Sequence, residues 1–533
     1  SMARKLIECV PNFSEGRNLE TIEAIAAAVR AVPGVSLLDV DPGASTNRTV
    51  FTFVGEPAAV VAGAVAAATA AKDKIDMRNH KGAHVRFGAM DVCPFVPVAN
   101  VTMEDCVECA KQAGEKLAEA LDIPIYLYGE ASSNPDRKTL KQIREGEYEA
   151  VESRITQPEW RPDFGPAQFR PTWGATAVGA RDFLIAYNVN LLGTKEQAHR
   201  IALNIREHGR SPSEPGRCKR VMGMGWYVDE YNMAQMTFNL EDYKVSAIHT
   251  VFEECVSDAK DLGLAVVGSE LVGLVPLESM LAAADYYIAK EGLFILEERQ
   301  KVALAIQRLG LSSISHFDMD KRIVEYAIEP PPEPLVSSTL REFITSVGAR
   351  TSAPGGGSVA AAVGAMGAAL GRMMGLLSYG NRKFEKLDSV MRQALPPLHA
   401  AMVALSHNVD ADTAAFERVM AAFKLGLDSP EGQSAMKHAV EVPLETMRHV
   451  DTCFASLITL AQHGNMNARS DLEVGAKCLE TAAWSAHRNV LINLKEITDT
   501  AYRAEINVEA ETIMANVTQG VTEVVAVLDK RAE

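Results

Sequence analysis

The sequence predicts an α+β N-terminal half, built as two ferredoxin-like β-α-β-β-α-β units around a cleft, followed by an all-α helical-bundle domain. Three observations carry that prediction. Strand and helix signals run twice through the same order, the hydrophobic period switching between two and 3.6 residues. A proline-rich spacer, Glu329-Pro-Pro-Pro-Glu-Pro334, then interrupts the chain; such runs favour an extended connection. After it strand signals nearly vanish and long Ala/Met/Leu-rich helical patterns take over. The expected boundaries are residues 1–180 and 181–328 for the two α+β subdomains, 329–337 for the linker and 338–533 for the helical domain.

The first unit opens with a strand over residues 5–10. Asn18 is placed to cap a helix whose Ile22, Ile25, Ala26 and Val29 fall at helical spacing. Strands follow at 35–41 and 49–54, an Ala/Val-rich helix at 57–71 and an extended segment at 93–98. A further helix starts at Thr102, with Asp105 helping to cap it, and a strand covers 123–128. The second series begins with a strand at 182–190. Thr194-Lys-Glu-Gln197 is a capping box that opens a helix to about His208. Strands at 219–228 and 235–240, a helix at 249–262 and a strand at 264–267 complete the unit. Two such sheets would face a shared cleft, a common place for a site. Beyond the spacer, helices are expected over 358–378, 384–420, 438–463 and 472–497. Gly364, Gly367, Gly371 and Gly375 recur near one helical face, which points to close packing inside the domain or across a homodimer contact.

A chain of 533 residues exceeds one hydrophobic core and suggests roughly two to four domains. The formal net charge is −16 and no long Lys/Arg run occurs, which argues against nucleic acid as a partner. Anionic small molecules still respond to local potential in a cleft. Ser1-Met2-Ala3-Arg4 reads as an expression remnant, and no apolar signal-peptide core follows it. The most membrane-like stretch, 358–380, is built from Ala and Gly and contains Arg372. It reads as a buried helix, and no transmembrane segment is expected. Eight cysteines in so long a chain make no disulfide scaffold. Cys106-Val-Glu-Cys109 lacks a second Cys/His pair, so no metal site is expected. The cytoplasm is the default compartment.

Several segments carry chemistry. Residues 79–95 set His80 and His84 beside Arg78, Lys81 and Arg86, then pass through Gly88. An imidazole exchanges protons near neutral pH, neighbouring cations hold carboxylates, and glycine permits close approach of a ligand to the backbone. The plainer reading is a basic surface loop. Asp39 and Asp41 share one face of a strand, or simply mark an exposed strand end before a turn. The segment 163–175 is rich in Gly, Pro and aromatics. It suits a flat heteroaromatic ligand, or a structural connection between domains. Ser352-Ala-Pro-Gly-Gly-Gly-Ser358 opens a helix whose free amides favour an anion, but it lacks the lysine of a nucleotide P-loop. Asp412, in Asp410-Ala-Asp412, interrupts an apolar helical pattern. Partial burial would raise its pKa and suit it to general acid catalysis; a solvated helix face is the alternative. Asn465, Arg469 and Asp471 precede another helix, which Ser470 or Asp471 could simply cap.

Ordered along the chain, Glu8-Cys-Val-Pro-Asn-Phe-Ser-Glu-Gly16, Ser45-Thr-Asn-Arg-Thr49, His80-Lys-Gly-Ala-His84, Asn190-Leu-Leu-Gly-Thr-Lys-Glu-Gln-Ala-His199, Ala353-Pro-Gly-Gly-Gly-Ser358, Asp410-Ala-Asp412 and Arg469-Ser-Asp-Leu472 resemble the formimidoyltransferase-cyclodeaminase family. These are bifunctional folate enzymes of histidine breakdown, and the resemblance runs from Leu6 onward. It implies transfer of a formimidoyl group from N-formimidoyl-L-glutamate to N5 of tetrahydrofolate, then ring closure to 5,10-methenyltetrahydrofolate with release of ammonia. It places the transferase histidine on His84 and the cyclodeaminase carboxylate on Asp412.

The family's folate-binding segment falls on Gly165, Pro166, Ala167, Gln168, Phe169, Arg170, Pro171, Thr172, Trp173 and Gly174. Its interior differs from the animal pattern at Ala167-Gln168 and Arg170, so backbone contacts carry over more safely than side-chain ones. On this reading Asp41 steadies the amidinium of the tetrahedral intermediate. Lys81 and Arg86 guide the anionic folate tail, and Asn465 and Arg469 bind substrate in the helical half. Tetrahydrofolate, polyglutamylated, is the co-substrate. No metal is required, because the attacking group is an amine and the zinc deaminase signature is absent. The resemblance implies a ring-like homo-octamer. The helical half is also similar to stand-alone methenyltetrahydrofolate cyclohydrolases. A transferase fused to a cyclohydrolase-like or purely oligomerising domain is therefore the alternative.

Overall fold

The computed structural model describes residues 4–330 and 332–533. Ser1, Met2 and Ala3 of the expected remnant and Pro331 of the spacer lie outside the described residues. The chain divides at the proline spacer into two compact units.

The first unit carries strands β1 (Leu6–Cys9), β2 (Asn12–Phe13), β3 (Val35–Gly43), β4 (Arg48–Gly55), β5 (Met90–Ala99), β6 (Ile125–Gly129), β7 (Thr176–Ala180), β8 (Ile185–Leu192), β9 (Val221–Val228), β10 (Met233–Leu240) and β11 (Ala265–Val272). The first seven form one sheet. β1 pairs antiparallel with β4 and β5, and β3 pairs antiparallel with β4. β7 and β6 then extend the sheet in parallel beyond β5. β7 is not legible in the sequence: it is five small residues, Thr-Ala-Val-Gly-Ala, inside a Gly/Pro/aromatic stretch. It forms because β5 and β6 offer two ladders that bury it completely.

Helices Leu19–Arg30, Pro57–Lys72 and Met103–Leu121 cover one face of this sheet. Asn18 caps the first by accepting from Glu20 and Thr21, and Thr102 with Asp105 makes a capping box on the third. Their apolar sides bury Ile7, Cys9, Phe51, Phe53 and Phe95. Strand alternation sends Glu8 to the opposite face. Asp39 and Asp41, opposite Thr52 and Val50 on β4, are both exposed.

The second sheet is fully antiparallel in the order β11-β8-β10-β9. Helices Lys195–Ile205 and Ile248–Asp261 lie between its strands in sequence, so the β-α-β-β-α-β order holds. The expected capping box at Thr194 is present, and its helix stops at Ile205 rather than near His208. Tyr187, Val189, Leu191, Met236 and Phe238 pack on these helices, in a core that also takes in Leu6, Val54, Val96 and Val98 of the first sheet. Helices Leu277–Glu291 and Glu298–Arg308 extend the unit.

The second unit is helical. Gly356–Ser378 lies between Asp388–Phe423 and Arg469–Leu494, with Pro430–Asp451, Phe454–His463 and Thr500–Ala532 around them. The glycine row serves packing inside this unit. A Cβ on Gly367 would meet Gly475 O at 2.8 Å, and one on Gly375 would meet Leu395 Cδ2 at 2.6 Å. The helix expected over 438–463 is two helices, broken at Thr452-Cys453. Pro443 sits inside the first of these and cannot donate to Ala439 O; Asn493 Nδ2 donates to that carbonyl instead, at 2.9 Å. Among the described residues Gly356–Ser378 is the one helix long and apolar enough to cross a membrane, and it packs against Asp388–Phe423 and Arg469–Leu494.

Candidate active sites

Three of the sequence marks converge in the first unit. Asn47 Oδ1 accepts from Gly16 N (2.9 Å), and its amide donates to Lys81 O (3.0 Å). Ala83 N donates to Ser45 O at 3.1 Å. Arg48 donates to Asn12 Oδ1 (3.1 Å) and to Asp91 Oδ2 (2.8 Å). Asp91 is fully buried and also accepts from Arg144 (2.8 Å) and from Phe87 N (2.5 Å). The loop over residues 80–88 is thus fastened at both ends to the strand turns that carry the other two marks. Gly82 allows the approach: a Cβ there would lie 2.1 Å from Thr46 O.

The two histidines on this loop are held differently. His80 is buried; Nε2–H donates to Asn47 O at 2.8 Å, Nδ1 has no partner, and burial pushes its pKa down. It is a neutral structural imidazole. His84 is exposed, and its Nδ1 lies 2.6 Å from Val85 O. A carbonyl only accepts, so Nδ1 carries the proton and Nε2 presents its lone pair outward. His84 therefore offers its basic nitrogen from an exposed ring, whereas the unpartnered nitrogen of His80 is buried.

The other expected residues divide. Lys81 is exposed. Arg86 is paired with Glu149 at 2.5 Å and with Glu147 at 3.6 Å, so a ligand would have to compete for it. Asp39 and Asp41 lie close enough that Asp39's pKa is raised, first by burial and then by the neighbouring carboxylate. Residues 165–174 run alongside the histidine loop: Met77 N donates to Thr172 O (3.0 Å), and Ala89 N donates to Trp173 O (2.8 Å). Gly165 and Gly174 both have φ near +80°, which favours glycine. Trp173 is buried, and its indole N–H donates to Thr176 Oγ1 at 2.9 Å. Arg170 pairs with Asp122 at 2.5 Å. Gly165, Ala167, Gln168, Pro171 and Thr172 form the exposed part of the segment, with Pro166 and Phe169 half-buried.

Sequence reasoning missed two polar features of this unit. Glu8 is a buried carboxylate pushed up to about 7 by burial, with Arg181 opposing. The second sheet's other face bears Asn188, Asn190, Gln235 and Glu270, lining or bordering a cavity of about 650 Å³ with Trp226, Phe317 and Arg322. Gln235 donates to Asn190 Oδ1 and Glu270 Oε2, both at 2.8 Å, while the buried Asn190 Nδ2 is unpartnered. The available signal was a charge or amide inside an apolar strand, as in Tyr187-Asn188-Val189-Asn190-Leu191.

In the helical unit Asp412 lies half-buried against the first turn of Gly356–Ser378. Its pKa is pushed up to about 6 by burial, with the nearby Ser358 backbone N–H opposing. Ser358 Oγ–H donates to Val409 O (2.7 Å), so Thr413 is the donor in the 3.0 Å hydroxyl contact between them. Asp410 plays a different part: it accepts from Leu335 N (2.9 Å) and Val336 N (3.0 Å), holding the entering segment.

Asn465 and Arg469 do not join Asp412 within one chain. Asn465 N donates to Ser378 Oγ at 2.9 Å, at the far end of the same helix. A helix of that length spans on the order of 30 Å. Arg469 pairs with Glu473 (2.9 Å) and Asp529 (2.5 Å), fastening the final helix.

The α+β unit presents the exposed imidazole of His84, and the helical bundle holds the half-buried carboxyl of Asp412, two groups suited to proton exchange on two separate units. Residues 6–181 match the formiminotransferase domain, N-terminal subdomain; residues 186–329 match the formiminotransferase domain; residues 339–512 match formiminotransferase-cyclodeaminase. The chain is 54% identical over 539 residues to the formimidoyltransferase-cyclodeaminase of Dictyostelium discoideum, covering 99% of this chain and 100% of that one. It is 54% identical over 537 residues to that of Gallus gallus, covering 99% of each. Its first half is 40% identical over 304 residues to the glutamate formimidoyltransferase of Thermoplasma acidophilum, covering 56% of this chain and 98% of that one. The chain belongs to the formimidoyltransferase-cyclodeaminase family.

Proposed function

We propose that this enzyme transfers the formimidoyl group of N-formimidoyl-L-glutamate to N5 of tetrahydrofolate in its first unit. Its helical unit then closes 5-formimidoyltetrahydrofolate to 5,10-methenyltetrahydrofolate and ammonia. The observation that carries this reading is the pair of independent proton-handling groups, the open Nε2 of His84 and the half-buried carboxyl of Asp412, its pKa raised to about 6. In the transfer, N5 attacks the formimidoyl carbon. His84 Nε2 accepts the N5 proton and returns it to the departing glutamate nitrogen. Asp41 is assigned to steady the amidinium charge, and Lys81 to attract the folate tail, with Arg86 joining if it leaves Glu149. Residues 165–174 receive the pteridine through their exposed backbone.

The two β-α-β-β-α-β orders support ferredoxin-like units. We read Glu8 and the Asn188–Asn190–Gln235–Glu270 face as completing the transferase cleft. In ring closure N10 attacks the same carbon, the C–N bond to the departing nitrogen breaks, and Asp412 protonates that nitrogen. Each nucleophile is an amine, so neither step calls for metal-activated water. Polyglutamylated tetrahydrofolate as co-substrate, a homo-octameric assembly and a cytoplasmic setting belong to the same reading. The eight unbridged cysteines fit a reducing compartment.

The test is a single reaction. Protein mixed with tetrahydrofolate and N-formimidoyl-L-glutamate should form methenyltetrahydrofolate and ammonia in equal amounts. Hydrolysis of added methenyltetrahydrofolate, with no ammonia from the formimidoyl substrate, would instead make the helical unit a cyclohydrolase.

A further inference from the structure

Gly357 is the second residue of the Gly356–Ser378 helix. A Cβ on it would lie 2.1 Å from Asp412 Oδ1, 2.3 Å from Cγ and 2.3 Å from Oδ2. The adjacent Gly356 is different: its Cβ would have Asn489 Nδ2 as nearest neighbour, at an ordinary 3.7 Å. Neither glycine has positive φ, so neither is required by its backbone. Alanine is the better helix former at both positions. What the missing Cβ at 357 provides is room for the carboxylate to lie across the helix's first turn, beside the Ser358 backbone N–H. Ser358 is itself buried and anchored to Val409 and Thr413 on the helix that carries Asp412.

We propose that Gly357 is a positioning residue for ammonia release: its missing Cβ leaves the Asp412 carboxyl room to lie against the helix N-terminus, from where it delivers the proton. This rests on the assignment of Asp412 as proton donor. When the C–N bond breaks, its electron pair goes to nitrogen, which takes the Asp412 proton. The negative charge left on the carboxylate then appears beside the Ser358 N–H and the positive end of the helix, which are already in place to stabilise it.

The test uses the full-length chain and 5-formimidoyltetrahydrofolate. Gly357→Ala should lower kcat for ammonia release about 10- to 100-fold, the scale of a misplaced catalytic group. KM should stay within about twofold, the kcat–pH profile should shift, and formimidoyl transfer should be retained. Gly356→Ala, with the same gain in helix propensity, should match the parent in rate and pH profile. Melting temperature judges the contact apart from turnover: Gly357→Ala should lower it, and adding Asp412→Ala should restore it. Equal activity and pH profile for the two alanine variants, or no recovery of stability in the double variant, overturns the positioning role. Full ammonia release by Asp412→Asn overturns instead the assignment on which it rests.

Discussion

Arg48 Nη1 lies 2.8 Å from Asp91 Oδ2 with both side chains buried, so a complete ion pair fastens the loop that carries His84. Arg144 binds the same oxygen at 2.8 Å, and Phe87 N binds the other. Removing the carboxylate leaves two guanidinium groups facing each other without a counter-charge. Asp91→Ala should cost about 3–5 kcal/mol, as expected when a buried pair is broken. Transfer should fall with it, while the helical unit keeps its activity. Denaturant unfolding followed by an N-terminal probe checks the first point, and assays of the two half-reactions check the second.

His84 is exposed and supports no packing, so its loss should affect chemistry alone. His84→Ala should reduce transfer by about 10²–10⁴-fold. The melting temperature should be unchanged, and ammonia should still be released from added 5-formimidoyltetrahydrofolate. His80→Ala should behave differently, lowering stability through the lost bond to Asn47 O. Thermal melts of the two variants side by side distinguish the roles.

Asp412 gives a pH dependence of definite sign. Its pKa is raised from 3.8 to about 6 in the folded chain. Between those values the native state binds the extra proton. The penalty is therefore absent below about pH 4, grows with rising pH and is complete above about pH 6. Asp412→Asn should stabilise the helical unit at pH 8 relative to pH 5, by about 1–3 kcal/mol. Melting temperatures at the two pH values check this. On the activity side, ammonia release by the parent should decline as pH rises past about 6.

Much of this was legible in the sequence, for local reasons. The capping residues Asn18, Thr102 and Thr194 start their helices where expected, because capping depends on a few adjacent residues. The β-α-β-β-α-β order was visible in the alternation of Ile185–Leu192 and its counterparts. β7 was not, since its pairing comes from strands distant in sequence. Likewise the spacing of Asn465 and Arg469 says nothing of their position at the end of the central helix opposite Asp412. Arg86 looked like a free cation because its partner Glu149 is 63 residues away. The burial that raises Asp412 depends on helices that the sequence brings together only through folding.

Two separate proton-transfer sites are tested most directly by following formimidoyl transfer and ammonia release together in His84→Ala and Asp412→Asn, starting from N-formimidoyl-L-glutamate and tetrahydrofolate. Asp412→Asn should accumulate 5-formimidoyltetrahydrofolate without ammonia. His84→Ala should make neither product, yet convert added 5-formimidoyltetrahydrofolate at close to the parent rate. Loss of both half-reactions in either folded variant, or transfer by His84→Ala at more than about a tenth of the parent rate, would refute the two-site assignment.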